Sequence, residues 1–203
     1  MGSKMGPIIA ILLAAGESRR MGQLKALLPW QGSTLLEHQV NSLLGGGVDQ
    51  VVAVLGHRAS ELAAKLNGKI GVSCTVNPDY LQGKTTSLKA GVRRAKDFQP
   101  SVILILNVDQ PRKPETVREL LRCHAIADSL ITIPTFDGKG GHPILLASDL
   151  LPEIENIEEE SQGLKAVTVR HGESTFRVDL ATPEVLWDLN TPEDYQEAVS
   201  THG

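Results

Sequence analysis

Short, unbroken apolar runs alternate along this chain with stretches of helical periodicity. Ile8 to Leu13 is the first run, and its β-branched opening and length predict a strand buried on both faces of a parallel sheet. Gln50 to Leu55, Val72 to Val76, Val102 to Leu106 and Leu130 to Pro134 repeat the pattern. Between them, Ser33 or Thr34 can cap a helix through Leu35, Leu36, His38, Val40, Leu43 and Leu44 that Gly45-Gly46-Gly47 stops. Further helices are predicted from about Ser60 to Leu66, through Ala90, Gly91 and Val92, and from Pro114 to about Ala127. The opening order is therefore βαβαβ, the pattern of a doubly wound parallel sheet. Arg177 to Leu180 and Val185 to Leu189 read as two short closing strands, and Thr191 and Pro192 start a last helix.

The breaks in this pattern carry the chemistry. Between Gly16 and Gly22 the side chains turn small, polar and cationic, with Ser18, Arg19, Arg20 and, shortly after, Lys25. A glycine-bearing turn at the end of a buried strand lets backbone N–H groups approach an anion while the cations neutralise it. This outlines a phosphate site. Neither the Gly-Lys-Ser/Thr ending of the Walker loop nor the G-x-G-x-x-G of dinucleotide enzymes is present. Arg19 is expected to face outward.

Four later breaks matter. Hydroxyls crowd Lys84-Thr85-Thr86-Ser87 at a helix start, where simple capping is the plainer reading from composition. The most apolar strand delivers Asn107-Val108-Asp109-Gln110-Pro111, and its carboxyl end in an open sheet lies beside the first loop. The following helix begins only at Pro114, so Asp109 is not its cap. One or two carboxylates commonly hold magnesium together with substrate phosphates, which makes Asp109 the metal candidate. Gly140-Gly141-His142-Pro143 is a tight turn, and Glu153 to Glu160 is an acidic run that reads as a solvated face.

Composition narrows the classes. The 203 residues suit one α/β domain, taken here as 1–203, with the opening MGSKMG read as an extension set aside from the fold. A formal charge of −4 and a pI near 5.9 argue against nucleic acid or an acidic membrane as partner. No apolar run approaches the roughly 20 residues of a membrane span. Cys74 and Cys123 have no metal spacing and no leader precedes them, so buried fillers in a reduced cytoplasmic protein are expected. With 3% aromatic residues, a base would be read by backbone and small side chains rather than by stacking.

The stretch from Leu13 to Pro29 resembles the signature of the molybdenum cofactor nucleotidyltransferases, L-A-A-G-x-S-x-R-M-G-x-x-K-x-L-L-P, and is nearest the cytidylyltransferase type. Four further segments match that family in order. Asn77, Pro78, Gly83, Ser87, Leu88 and Gly91 fit N-P-x-x-x-x-G-x-x-x-S-L-x-x-G; Asp109-Gln110-Pro111 fits the metal-binding D-Q-P; Gly138 to Leu145 fits G-x-x-G-H-P-x-L; and Asp188 to Tyr195 fits D-I-D-T-P-E-D-Y with Asn190 for the second aspartate. Glu160 to Lys165 departs from the family's G-D-x-G-x-R-like segment.

The resemblance implies a three-layer α/β/α Rossmann-like nucleotidyltransferase fold on a mostly parallel sheet. It implies transfer of CMP from CTP to molybdopterin or molybdenum cofactor with release of pyrophosphate, dependent on Mg2+ with Mn2+ as the alternative ion. Arg20, Lys25 and Asp109 take the catalytic roles. Leu13, Ala14, Ala15, Gly16, Ser18, Arg20, Gly22, Lys25, Asn77, Gly83 and Ser87 take the nucleotide, with Gly83 and Ser87 as base readers. Asp109 and Asp188 hold the metal, Asn190 is the reserve, and His142 is an acceptor-site residue with no proton transfer assigned. From their places in helices, His38 reads as a structural or surface residue and Asp194 as a structural partner. A recipient molybdoenzyme or its chaperone is the implied protein partner. Two alternatives stay open: transfer to another phosphorylated acceptor such as a sugar or alditol phosphate, and a noncatalytic nucleotide-binding accessory role.

Overall fold

A computed structural model describes residues 6–159 and 163–202. In chain order the elements are β1 (Ile8–Ala14), β2 (Pro29–Trp30), β3 (Ser33–Thr34), α1 (Leu35–Gly45), β4 (Gln50–Leu55), α2 (Ala59–Leu66), β5 (Val72–Val76), α3 (Lys84–Lys96), β6 (Val102–Asn107), α4 (Pro114–Ala127), β7 (Ile131–Phe136), β8 (Lys139–Gly140), β9 (Ile144–Ala147), α5 (Leu151–Glu155), α6 (Leu164–Arg170), β10 (Thr175–Asp179) and α7 (Pro192–His202). Eight strands form one sheet in the order β10-β7-β9-β6-β1-β4-β5, with β8 added to β7. β6, β1, β4 and β5 run parallel, and β9 enters antiparallel between β6 and β7. The sheet is thus mixed and mostly parallel.

The apolar runs become strands because helices cover both faces. Ala10, Leu12, Ala53 and Leu55 pack under α1, α2 and α4, while Ile9, Ile11, Val52 and Val54 pack under α3, α5 and α6. Ile9, Ile11 and Leu12 have no exposed surface, and each such burial is worth roughly 1.5–3 kcal/mol. α1 starts on a reciprocal cap: Thr34 accepts from the Glu37 backbone, and Glu37 returns to the Thr34 N–H. Thr34, not Ser33, is the cap. A third apolar cluster joins Met21, Leu28, Trp30, Leu35, Leu189 and Ala198. It pins the end of the glycine loop to the C-terminal segment, and the Tyr195 hydroxyl donates to the Pro29 carbonyl at 2.6 Å.

Three expectations need correction. Val185 to Leu189 is not a strand: Pro183–Leu186 is a 3-10 turn, and the carbonyls of Val185 and Trp187 accept from Arg112 instead of from a sheet partner. The cysteines are not buried fillers. Cys74 is exposed because β5 is an edge strand, and Cys123 is half-buried on α4. No hydroxyl caps α3; its N-cap is Gly83, and the Glu159 carboxylate accepts from the Thr85 N–H at 2.8 Å. The acidic run is accordingly tied down in places, Glu155 to Lys96 and Glu153 to Arg170 and His171. Residues 1–5 of the opening and residues 160–162 of the divergent segment lie outside the described residues. Gly6 already belongs to the fold, its carbonyl accepting from the Ser101 hydroxyl at 2.6 Å. Among the described residues no helix is long and apolar enough to cross a membrane.

Candidate active site

The carboxyl ends of β1 and β6 and the turn that follows β5 open into a cleft of about 550 Å³. Register builds it: Leu13 of β1 stands beside Asn107 of β6, and the Val108 N–H donates to the Leu13 carbonyl at 2.9 Å, so Asp109 emerges next to Gly16. Ser18, in the left-handed region at φ 57°, reverses the chain. Its carbonyl accepts from Met21 and its hydroxyl from the Lys25 N–H at 3.0 Å. Gly22 ends the Arg19–Met21 turn at φ 66°, a conformation that a side chain strains. Gly16 differs. A Cβ there would meet no protein atom within 4 Å and its φ is not left-handed, so the protein itself places no demand for glycine.

Lys25 is 8% exposed. Its Nζ donates to Asp109 Oδ2 at 2.8 Å and to Asn190 Oδ1 at 3.1 Å. Arg20 Nη2 donates to the same Asn190 oxygen at 3.1 Å. The cations of the loop, the carboxylate after β6 and the amide of the C-terminal segment thus share one polar cluster. Asp188 lines the same cleft, as do Leu13, Ala14, Ala15, Ser18, Gly83 and Ser87. Arg19 is 80% exposed at its side chain and pairs with Glu17. Asp194 accepts from the backbone of Asn190 and Thr191 at 3.0 and 2.8 Å, capping α7 as a structural partner.

Three expected site residues stand back from this cleft. Gly22 supports the loop from behind. Asn77 is buried, donating to the hydroxyls of Thr86 and Ser87 at 2.9 Å, and so holds the start of α3 in place. His142 lines a second cavity of about 510 Å³ that shares Leu13, Lys84 and Asn107 with the first. Its Nδ1 meets Gln110 Nε2 at 3.2 Å, and its backbone N–H donates to Val185. Burial, with Lys84 and Arg112 nearby, pulls its pKa down to about 4, so the imidazole is neutral at pH 7.

The sequence reading missed Arg112. It is 1% exposed, and its guanidinium donates to the carbonyls of Pro111, His142, Val185 and Trp187. Burial lowers its pKa to about 9, against the pull of Glu184, Asp188 and Asp109. It remains charged at neutral pH, and it stitches the turn after β6 to the segment carrying Asp188. In Pro111-Arg112-Lys113-Pro114 nothing separates this arginine from a solvated one. His38, expected to be structural, meets the Arg112 carbonyl at 3.2 Å. Tyr80 and Glu17 were also missed; both line the cleft.

The MobA-like NTP transferase domain matches residues 10–175 of the chain. The chain belongs to this family. The match takes in the glycine loop and Asp109, while Asp188 and Asn190 follow it. Among its relatives, the molybdenum cofactor cytidylyltransferase of Escherichia coli (strain K12) is 28% identical over 191 residues, covering 94% of this chain and 95% of that protein. The nicotine blue oxidoreductase of Paenarthrobacter nicotinovorans is 33% identical over 166 residues, covering 78% of this chain and 79% of that protein. In structure, a nucleotidyl transferase from Methanothermobacter superposes with a TM-score of 0.81 at 28% identity over 97% of each chain. Family and fold together support a nucleotidyltransferase with a Rossmann-like sheet, acting on a nucleoside triphosphate.

Proposed function

We propose that the chain transfers CMP from CTP to the terminal phosphate of molybdopterin or of the molybdenum cofactor, releasing pyrophosphate, in the cytoplasm. The observation that carries the reading is Lys25, which holds Asp109 and Asn190 at 2.8 and 3.1 Å in the floor of the glycine loop. The relative from Escherichia coli supports the choice of donor and acceptor.

In this reaction an acceptor phosphate oxygen forms the new bond to the α-phosphorus as the bond from that phosphorus to the bridging oxygen of the β-phosphate breaks. A phosphate monoester has its second pKa near 6, so the acceptor is already ionised at neutral pH and no general base is required. Arg20 and Lys25, with backbone N–H groups of the glycine loop, would hold the triphosphate and neutralise the charge that builds on the leaving pyrophosphate. The open space beside Gly16 is room a phosphate can enter. Asp109 and Asp188, with the amide oxygen of Asn190 in reserve, present hard oxygen donors that suit Mg2+ or Mn2+. When bound, such an ion polarises the α-phosphate and neutralises the triphosphate. Gly83 and Ser87 take the base and ribose in this reading, and His142 faces the acceptor.

The test is magnesium-dependent pyrophosphate release with molybdopterin as acceptor, run beside CTP, GTP, ATP and UTP. Release confined to CTP establishes the proposal. Release only with a sugar or alditol phosphate moves the acceptor, and tight CTP binding without release indicates an accessory protein that delivers nucleotide or cofactor to a molybdoenzyme. The oxidoreductase among the relatives makes an assay of nicotine blue oxidoreduction the matching control.

A further inference from the structure

The glycine loop sorts its charges by direction. Arg20 and Lys25 turn toward Asn190 and Asp109. Glu17 turns the other way, its Oε1 lying 3.5 Å from the Tyr80 hydroxyl and 4.0 Å from His57 Nδ1. The sheet order gives these directions a length. Asp109 follows β6, the loop follows β1, His57 follows β4 and Tyr80 follows β5. Neighbouring strands stand about 4.8 Å apart, so roughly 14 Å separates the two ends of the cleft. That is the scale of a nucleotide lying across the sheet with its phosphates at Lys25 and its base near Tyr80.

A carboxylate aimed at a triphosphate would be repelled by it, and Glu17, though it follows Gly16 in the loop, turns its carboxylate away from Lys25 and toward Tyr80. Its Oε2 accepts from Arg19 Nε at 2.5 Å, on the solvent side. Oε1 accepts a long hydrogen bond from the Tyr80 hydroxyl at 3.5 Å, the outer limit for such a bond, and His57 Nδ1 lies farther off at 4.0 Å. The wall next to it is firm, because a Cβ on Gly56 would come within 2.8 Å of the Tyr80 ring and 2.7 Å of the Ala15 carbonyl oxygen. The aromatic ring therefore packs directly on the backbone after β4.

We propose that Glu17, with Tyr80 as the wall beside it, reads the edge of the base and selects bases that carry an exocyclic amino group over uracil. The proposal rests on the nucleotidyltransferase reading of the cleft. An ionised carboxylate only accepts, so it pairs with the amino group of cytosine, adenine or guanine. Uracil presents a carbonyl oxygen in that place, which offers Oε1 no donor and sets a second acceptor against it. A polar group placed to pair with a substrate rejects an analogue that cannot pair by more than its own attraction supplies.

The test is calorimetric binding of CTP, ATP, GTP and UTP, each with magnesium, to the wild type and to Glu17→Gln. The wild type should favour at least one amino-bearing nucleotide over UTP by roughly tenfold or more. The amide of Glu17→Gln can present either a donor or an acceptor, so its UTP affinity should rise and the preference should shrink about tenfold. A merely structural role would weaken all four nucleotides alike and would overturn the proposal, as would equal binding of the four by the wild type. No binding of any nucleotide by the wild type would instead remove the nucleotidyltransferase reading itself. If Glu17→Gln lowers the unfolding midpoint, Glu17→Asp takes its place: it keeps the charge and withdraws it by one methylene, and an unchanged preference there would likewise overturn the proposal.

Discussion

The backbone N–H of Leu189 donates to the carbonyl oxygen of Asp109 at 2.9 Å. Two candidate metal carboxylates, Asp109 and Asp188, are thereby fixed to one another through main chain although 79 residues of sequence lie between the bonded pair. Arg112 reinforces the junction with its bonds to Val185 and Trp187. Replacing it with Met should leave buried carbonyls short of donors and cost about 3 kcal/mol, a fall of roughly 10 °C in the thermal midpoint. An unchanged midpoint would show that the segment from 183 to 190 is held by other means.

Lys25 and Asp109 should behave as a pair. Lys25→Ala and Asp109→Ala are each expected to lower pyrophosphate release by more than 100-fold while the circular dichroism spectrum stays that of the wild type. Because either change leaves a partly buried charge without its partner, the double variant should be no less stable than the single ones. Near wild-type turnover in either single variant would sink the assignment.

The two glycines of the loop should separate by phenotype. Gly22→Ala forces a side chain into a left-handed conformation and should cost about 1 kcal/mol in urea unfolding. Gly16→Ala meets no protein atom and should leave stability within about 0.5 kcal/mol, yet weaken triphosphate binding at least tenfold by filling the space a phosphate would take. Equal nucleotide affinity in Gly16→Ala would remove that glycine from the site.

His142 predicts an acid limb of stability. Its folded pKa near 4 lies below the ordinary value of 6.5, so the unfolded chain binds the proton more readily between those two values. Stability is complete above about pH 6.5, falls as pH drops toward 4, and loses on the order of 3 kcal/mol from this residue. Burial also depresses His38 and His124, which add to the same limb. Chemical denaturation from pH 7.5 to 4 should therefore show a shallower decline in His142→Gln than in the wild type.

The strands of the sheet's centre were legible because burial on both faces leaves an unbroken apolar spelling, as in Ile8 to Leu13 and Val102 to Leu106. The loop after β1 stood out as a break in that spelling because two glycines and its cations fall together. What failed shares a cause. Val185 to Leu189 is as apolar as a strand, but its carbonyls accept from the distant Arg112 guanidinium and the His142 N–H, and no local pattern reports that. Cys74 sits on a short edge strand, and edge position is a property of topology. Gly83, taken as a base reader, also serves as the point where Glu159 comes close, since a Cβ there would meet that carboxylate at 2.7 Å. Glu159 belongs to the acidic run that reads as solvent-facing, so its place over α3 had no signature.

The meeting of the glycine loop with Asn190 also sets a schedule for synthesis. A ribosome that has released the chain only through β10 has made the central sheet, the glycine loop and Asp109, but not the amide that Arg20 and Lys25 share. The polar floor of the cleft closes only after the last tenth of the chain has emerged and Leu189 has docked on Asp109. The floor of the cleft therefore cannot be assembled from the chain up to β10 alone, because Asn190 and Leu189 both follow it.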